Sequence, residues 1–224
     1  MEDARTYEEL RVGFTAAVSH ELRTPLARLC ALLESATLPD ADQEALLAQA
    51  RAQVEEMSEL IDDVLFLSEL ESGREVVALG PTAALPVLEE VRARLADSAE
   101  RADVRIELDV DSPSVTLPLR RRMLQIVVEN LSLNAIRYAG PGATLTLSAR
   151  PGILEVADDG RGVDESELPR LFERFYRSDR ARASRGTGLG LAIVKHVVVA
   201  AGGEVHASGG LGRGLRIRCT FPAP

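Results

Sequence analysis

Tryptophan is absent from this 224-residue chain and aromatics make up 4% of it, so its core must be built from aliphatic side chains. Cysteine is nearly absent too. Cys30 and Cys219 stand far apart, in neither a metal-ligand nor a CxxC spacing, which reads as two reduced, buried thiols of a cytoplasmic protein. No run approaches the roughly 18 apolar residues that span a bilayer, and no signal peptide opens the chain, so no direct membrane contact is expected. Positive charge is in deficit: 26 Lys and Arg against 35 Asp and Glu give a net charge of −9. That balance argues against non-specific nucleic-acid binding, which needs a cationic surface, though not against a partner with a local basic patch. Nucleic acid is therefore not an expected partner.

What is present suits long helices: 46% hydrophobic and 27% charged residues, with Ala, Leu, Val and Arg prominent. Residues 4–37 carry Leu10, Phe14, Val18, Leu22, Leu26, Leu29 and Leu33 at helical spacing. "TLPDADQ" (37–43) interrupts the pattern, with Asp40 or Asp42 as cap of the next helix. Residues 43–71 resume it through Leu46, Leu47, Val54, Met57, Ile61, Val64, Leu65 and Leu67, alternating steps of three and four as a bundle seam does. Two helices of about 30 residues, roughly 45 Å each, bury too little apolar surface as a lone pair. A homodimeric four-helix bundle through residues 1–72 is expected.

"ESGREVVALGPT" (71–82) reads as a linker, with 73–82 as its core. After it the pattern predicts helices at 84–101, 118–138 and 189–201. Strands are predicted at 103–110, 143–149, 152–157, 203–208 and 214–221, and a long irregular stretch at 158–188. The second domain, 83–224, is thus a mixed α/β layer structure.

Four patches of this domain carry chemistry. "VADDGRGVDE" (156–165) sets Asp158 at a strand end, where a carboxylate can accept from an amine in a pocket. Gly160 and Gly162 would let a flat ligand approach the backbone; a plain Asp-Gly turn is the structural alternative. "RGTGLGLAIVKHVV" (185–198) alternates Gly186, Gly188 and Gly190 and enters an apolar helix at once. Successive N–H groups feeding a helix N-terminus make an anion site, though the segment is neither a Walker A nor a Rossmann fingerprint. "VVENLSLNAIRYAG" (127–140) places Asn130 and Asn134 at i and i+4, with Arg137 and Tyr138 one turn later. Amide oxygens there could ligate Mg²⁺ that takes its other ligands from nucleotide phosphates, or simply form a buried amide pair. "LFERFYRSDR" (171–180) holds Phe172, Phe175 and Tyr176 beside arginines, either a hydrophobic anchor or a lid whose arginines reach phosphate.

Taken in chain order, and with "SHELRTPL" (19–26) ahead of them, these patches resemble the catalytic core of bacterial sensor histidine kinases over nearly the whole chain. "SHELRTPL" is similar to that family's H-box, "NLSLNAIRY" to its N-box, "DDGRG" to its G1 box, "LFERFYR" to its F-box and "GTGLGL" to its G2 box. The resemblance implies a helical hairpin that dimerises and carries the phospho-accepting histidine, followed by a Bergerat-type α/β sandwich that binds ATP with Mg²⁺. It implies that His20 is the nucleophile and that Glu21 orients its imidazole. Thr24 completes an E-x-x-T pattern that orients water for dephosphorylating a partner. Asp158, with Gly160 and Gly162, would read the adenine amino group, and Asn134 with Asn130 would hold Mg²⁺. Arg137, Tyr138 and the loop Gly186, Thr187, Gly188, Leu189 and Gly190 would contact phosphates, with Arg177 a further contact to the γ-phosphate. ATPases of the wider superfamily place a water-activating Glu where Asn130 stands, so transfer to His20 is favoured over hydrolysis. Two departures are small: Arg185 precedes Gly186 where small residues are usual, and Ser132 and Leu133 swap the usual apolar and polar order.

The implied partner is the receiver domain of a response regulator, whose aspartate takes the phosphoryl group. A phosphatase-dominant member, or a nucleotide-binding signalling scaffold, is the alternative. A cytoplasmic location is expected, alone or as the cytoplasmic part of an inner-membrane receptor that anchors a longer parent. Pro25 lacks the N–H that would bond the Glu21 carbonyl, so a kink beside His20 is expected, letting the two halves of the hairpin move. His196 and His206, with no acid-base or ligand set nearby, read as structural or simply exposed.

Overall fold

A computed structural model describes residues 2–38, 42–72, 80–178 and 186–222, with side chains from Thr15 onward. Its contacts divide the chain into two compact units, residues 1–67 with 185–187, and 68–184 with 188–224. Among the described residues no helix is long and apolar enough to cross a membrane.

The first unit is a helical hairpin. Helix α1 runs Glu2–Ser35 and helix α2 runs Gln43–Glu71. Pro25 sits inside α1 and is buried, so its ring fills packing space where its missing N–H leaves the Glu21 carbonyl without a helical donor. The α2 start is capped as the sequence suggests, by Asp42, whose Oδ1 accepts from the Ala45 N–H at 3.1 Å; Asp40 lies outside the described residues. Ala50, Leu60 and Leu67 are buried within the hairpin, yet Leu26, Leu33, Leu47, Val54, Ile61 and Leu65 are each 44–58% exposed. Leu47, Val54 and Ile61 recur every seventh residue, as do Leu26 and Leu33, so the exposed leucines, valine and isoleucine form stripes rather than scattered points.

The second unit is a two-layer α/β sandwich. Five strands stand in the order β2-β4-β5-β7-β6. They are β2 (Arg105–Val110), β4 (Thr144–Arg150), β5 (Ile153–Asp158), β6 (Glu204–Gly209) and β7 (Leu215–Thr220). β2 and β4 are parallel and every other pair is antiparallel. Strand periodicity decides the faces: Leu145, Leu147, Ala149, Leu154, Val156, Ile217 and Cys219 are buried, and the residues between them are not. Helices α3 (Ala84–Arg101), α4 (Arg121–Tyr138) and α5 (Gly190–Ala200) cover that face with Val87, Leu88, Val91, Leu124, Val127, Leu131, Ile193 and Val197. The other face is polar, with Glu155 bridging Arg216 and Arg218 at 3.1 and 2.7 Å. Both cysteines are free; burial pushes the Cys219 thiol up to about 12, which makes it inert, whereas Cys30, expected to be buried, is exposed because it falls on the outer side of α1.

The structure adds two small elements to the expected set. β1 (Thr82–Ala83) pairs antiparallel with β3 (Thr116–Leu117), two residues each, too short for any periodicity to register. A 3-10 helix, Glu165–Arg170, occupies part of the stretch read as irregular, capped by Asp164, which accepts from Ser166 N at 2.9 Å. Helix α4 starts at Arg121 rather than at 118, because the chain is still leaving β3 at Pro118. Strand β2 starts at Arg105 rather than 103, because Asp103, at φ +54°, turns the chain out of α3 first.

Candidate functional site

The first unit presents one histidine. His20 lies in mid-α1 with 76% of its side chain exposed, and its Nδ1 is 3.7 Å from Glu21 Oε1. That is ion-pair range and longer than a hydrogen bond. With Nδ1 turned to the carboxylate, Nε2 is the ring nitrogen that faces outward. Thr24 is exposed three residues after Glu21, and positions i and i+3 share a helix face.

In the second unit, β5 delivers Asp158 to the end of the sheet. Its Oδ1 accepts from the N–H groups of Gly160 (3.0 Å) and Leu215 (3.4 Å). Burial raises its pKa; the two N–H bonds oppose this and the neighbouring Asp159 adds to it. The other oxygen, Oδ2, takes no hydrogen bond from the described residues and remains an acceptor for a ligand amine. Gly160 and Gly162 owe their identity to protein neighbours. A β-carbon on Gly160 would lie 2.3 Å from the Ala139 carbonyl oxygen, and one on Gly162, at φ +63°, 2.0 Å from that of Gly210. The loop after Asp158 is thus clamped between the end of α4 and the β6–β7 turn, a tighter requirement than the ligand approach that the sequence suggests.

Helix α4 carries the two amides. Asn130 Nδ2 donates to the Ile126 carbonyl at 2.9 Å, and its Oδ1 lies against Gly190, where a β-carbon would come within 2.5 Å. Asn134 is half-buried and has no hydrogen-bond partner among the described residues. Arg137 is exposed and Tyr138 half-buried at the helix end. Glu129, the one carboxylate beside these amides on α4, is paired with Arg94 of α3 at 3.1 Å. It is therefore committed to α3.

The glycine segment leads into α5. Gly186 and Gly188 have φ of +142° and +71°, Leu189 is buried, and Gly190 is the first helical residue. Phe175 adopts φ +60° and donates its N–H to the Gly188 carbonyl at 3.0 Å, and a β-carbon on Gly188 would lie 2.9 Å from Phe175 Cα. The aromatic segment and the glycine segment are therefore joined backbone to backbone. Tyr176 Oη donates to Glu167 (3.0 Å) and the Arg170 guanidinium sits 4.3 Å from the Tyr176 ring centroid. Arg177 is half-buried beside it. Gly186 and Thr187 group with the first unit, where Thr187 Oγ1 donates to Asp63 at 2.7 Å.

Asp158, Asn134 and the start of α5 thus offer an acceptor for an amine, an amide with no hydrogen-bond partner among the described residues, and the N-terminal end of a helix. Among the described residues no three His, Cys, Asp or Glu side chains are grouped to hold a metal ion. A cation here depends on amide oxygen and on phosphate oxygens, which suits Mg²⁺. Sequence reasoning missed the Leu215 N–H that orients Asp158, the left-handed Phe175, and the Arg94–Glu129 pair; none has a local signal.

Comparison with known proteins bears on the family and the fold. Residues 10–73 match the family model of the His Kinase A (phospho-acceptor) domain. Residues 120–224 match that of the histidine kinase-, DNA gyrase B- and HSP90-like ATPases. The chain is 36% identical over 224 aligned residues to the phosphate regulon sensor protein PhoR of Pseudomonas aeruginosa, covering 96% of this chain and 50% of that protein. The solved structure of the Acinetobacter baumannii histidine kinase AdeS superposes with a TM-score of 0.72 at 30% identity, covering 90% of this chain and 97% of that one. Full-length ShkA, solved in complex with AMPPNP, gives 0.65 at 30% identity, covering 93% and 46%. The chain spans about half the length of the curated relatives it matches.

Proposed function

The chain belongs to the bacterial sensor histidine kinases, whose catalytic core it carries, and from that premise we propose that it phosphorylates its own His20 with ATP and passes the phosphoryl group to an aspartate of a response-regulator receiver domain. The observation that carries the reading is the Asp158 carboxylate, with one oxygen fixed by two backbone N–H groups and the other left as an acceptor. Such a group selects a ring that donates an amine, as adenine does.

Asp158, Gly160 and Gly162 form the base end of the site in this reading, and the N–H groups at the start of α5, with Gly186, Thr187, Gly188, Leu189 and Gly190, face the phosphates. Arg137, Tyr138 and Arg177 supply further phosphate contacts. Asn134 is the residue best placed to hold Mg²⁺, because its amide is half-buried and unspent among the described residues. When bound, Mg²⁺ neutralises phosphate charge and orients the leaving group. His20 Nε2 is the nucleophile: its lone pair bonds to the γ-phosphorus as the bond to the bridging oxygen breaks and ADP departs. Glu21, on the Nδ1 side, keeps that nitrogen protonated and stabilises the imidazolium that forms. Thr24 then orients the water that dephosphorylates the regulator.

The domain limits we propose are hairpin 1–72, linker 73–82 and catalytic domain 83–224; residues 73–79 of the linker lie outside the described residues, and Thr82 of β1, at its end, already pairs with Leu117. The exposed stripe of Leu26, Leu33, Leu47, Val54, Ile61 and Leu65 supports homodimerisation through the hairpin. ATP supply places the chain in the cytoplasm, as a whole protein or as the cytoplasmic part of a membrane-anchored receptor.

The test is incubation with Mg²⁺ and γ-labelled ATP, wild type beside His20→Ala. An acid-labile, base-stable label on the wild type and none on the variant is expected. Label that persists on a folded His20→Ala chain would overturn the assignment of the nucleophile.

A further inference from the structure

We infer that Asn130 is a positioning residue that braces α4 against the first residue of α5, and that it does not share the metal with Asn134. The inference rests on the nucleotide reading and assigns different tasks to two amides that sequence spacing treats as a pair.

Three observations carry it. First, the Asn130 amide is already oriented, because Nδ2 donates to the Ile126 carbonyl at 2.9 Å. Turning the amide over would forfeit that bond and set an NH2 group against the start of α5. Second, Oδ1 is directed at Gly190, so close that a β-carbon there would sit 2.5 Å away. Third, α5 begins after Leu189 with no side-chain cap of its own. The first turn of a helix exposes N–H groups and a partial positive charge. An amide oxygen from the neighbouring helix is the complement that such an end attracts. Among the described residues Asn134 has no equivalent contact.

The brace has a function because both ligand-facing parts depend on it. Asn134 rides on α4, and the phosphate-facing N–H groups ride on α5. The spacing of the two helices at this contact sets the distance between cation and phosphates. It also explains why Gly190 is glycine. A side chain there cannot displace Asn130 without breaking the Ile126 bond, so alanine would wedge the helices apart or expel the amide.

The test uses the full chain and a fluorescent ATP analogue, titrated once with Mg²⁺ and once in EDTA. Asn134→Ala should abolish the advantage that Mg²⁺ confers, bringing the two affinities together. Asn130→Ala should weaken binding in both conditions by a similar factor, roughly 5–30-fold for a contact of one to two kcal/mol, and keep the Mg²⁺ advantage. Gly190→Ala should show the same pattern. The double variant Asn130→Ala/Gly190→Ala should bind better than the product of the single effects, because the colliding atom is gone. The same sub-additivity should appear in thermal melting without nucleotide. If Asn130→Ala does not fold, Asn130→Ser takes its place, and Gly190→Ala reads the Mg²⁺ dependence independently. Loss of the Mg²⁺ advantage in the Asn130 variant, unchanged affinity in both conditions, or strictly multiplicative singles would each overturn the brace. A wild-type chain that binds no nucleotide would overturn the proposed function, and this inference with it.

Discussion

Asp158→Asn separates recognition of the nucleotide from stability of the fold, because the structure uses the two carboxylate oxygens differently. Oδ1 accepts from Gly160 and Leu215, and an asparagine carbonyl can do the same. Oδ2 is the acceptor proposed for the adenine amine, and in asparagine that place is taken by an NH2 group, a donor facing a donor. A hydrogen bond to a charged group contributes about 1.5–3 kcal/mol. At about 1.4 kcal/mol per tenfold, ATP affinity should fall roughly 10- to 150-fold. ITP, whose ring offers an oxygen where adenine offers the amine, should be weakened less or gain. Stability should move the other way. Burial holds the folded-state pKa of Asp158 above its ordinary 3.8, so the fold prefers the neutral form. The ionised group therefore opposes folding at pH values above the folded pKa, and this opposition vanishes as the pH falls below the unfolded value. A neutral asparagine removes it, so the melting temperature near pH 7.5 should be unchanged or higher, and the difference from wild type should shrink as the pH is lowered toward 4. Calorimetric titration with ATP and ITP, beside melting curves across that range, reads both effects. An affinity within about twofold of wild type, or a melting temperature several degrees lower at pH 7.5, would refute the division of labour between the oxygens.

Gly188→Ala should destabilise the chain, since φ of +71° costs a non-glycine residue about 1–2 kcal/mol and the β-carbon would meet the backbone of Phe175 at 2.9 Å. At about 2–4 °C per kcal/mol for a chain of this size, a drop of roughly 2–8 °C in a thermal melt is expected, and no drop would refute the strain. Val54→Glu with Ile61→Glu places charge in the exposed α2 stripe, where these residues are 49% and 44% exposed. Sedimentation equilibrium should find the wild type dimeric and the double variant monomeric, and a dimer that survives both charges would refute that interface.

The long elements were legible because their signals repeat. α1 and α2 keep an apolar period over 34 and 29 residues, and the buried positions of β4 and β7 alternate without a break. Two-residue strands leave no period to detect, so β1 and β3 were illegible, as was the 3-10 turn within the polar stretch after Asp158. Asp158 itself could be read as an acid at a strand end. The Leu215 N–H that orients it comes from 57 residues later, where only the register of β5 against β7 brings it close.

Glycine shows the limit of such reading most clearly. A glycine in a sequence says that no β-carbon fits, and leaves open what fills the space. At Gly160 and Gly162 the space is taken by the carbonyls of Ala139 and Gly210, at Gly188 by the Phe175 backbone and at Gly190 by the Asn130 amide. Each of these neighbours is far away in sequence, so a ligand was the natural first candidate at all four. The same holds for Asn130 and Asn134, chemically identical and one turn apart, which spacing alone must treat alike. Only the third dimension distinguishes the amide whose nitrogen is spent on Ile126 and whose oxygen lies against Gly190 from the one that has no hydrogen-bond partner among the described residues. A spent amide orders the protein, and an unspent one is available to a ligand.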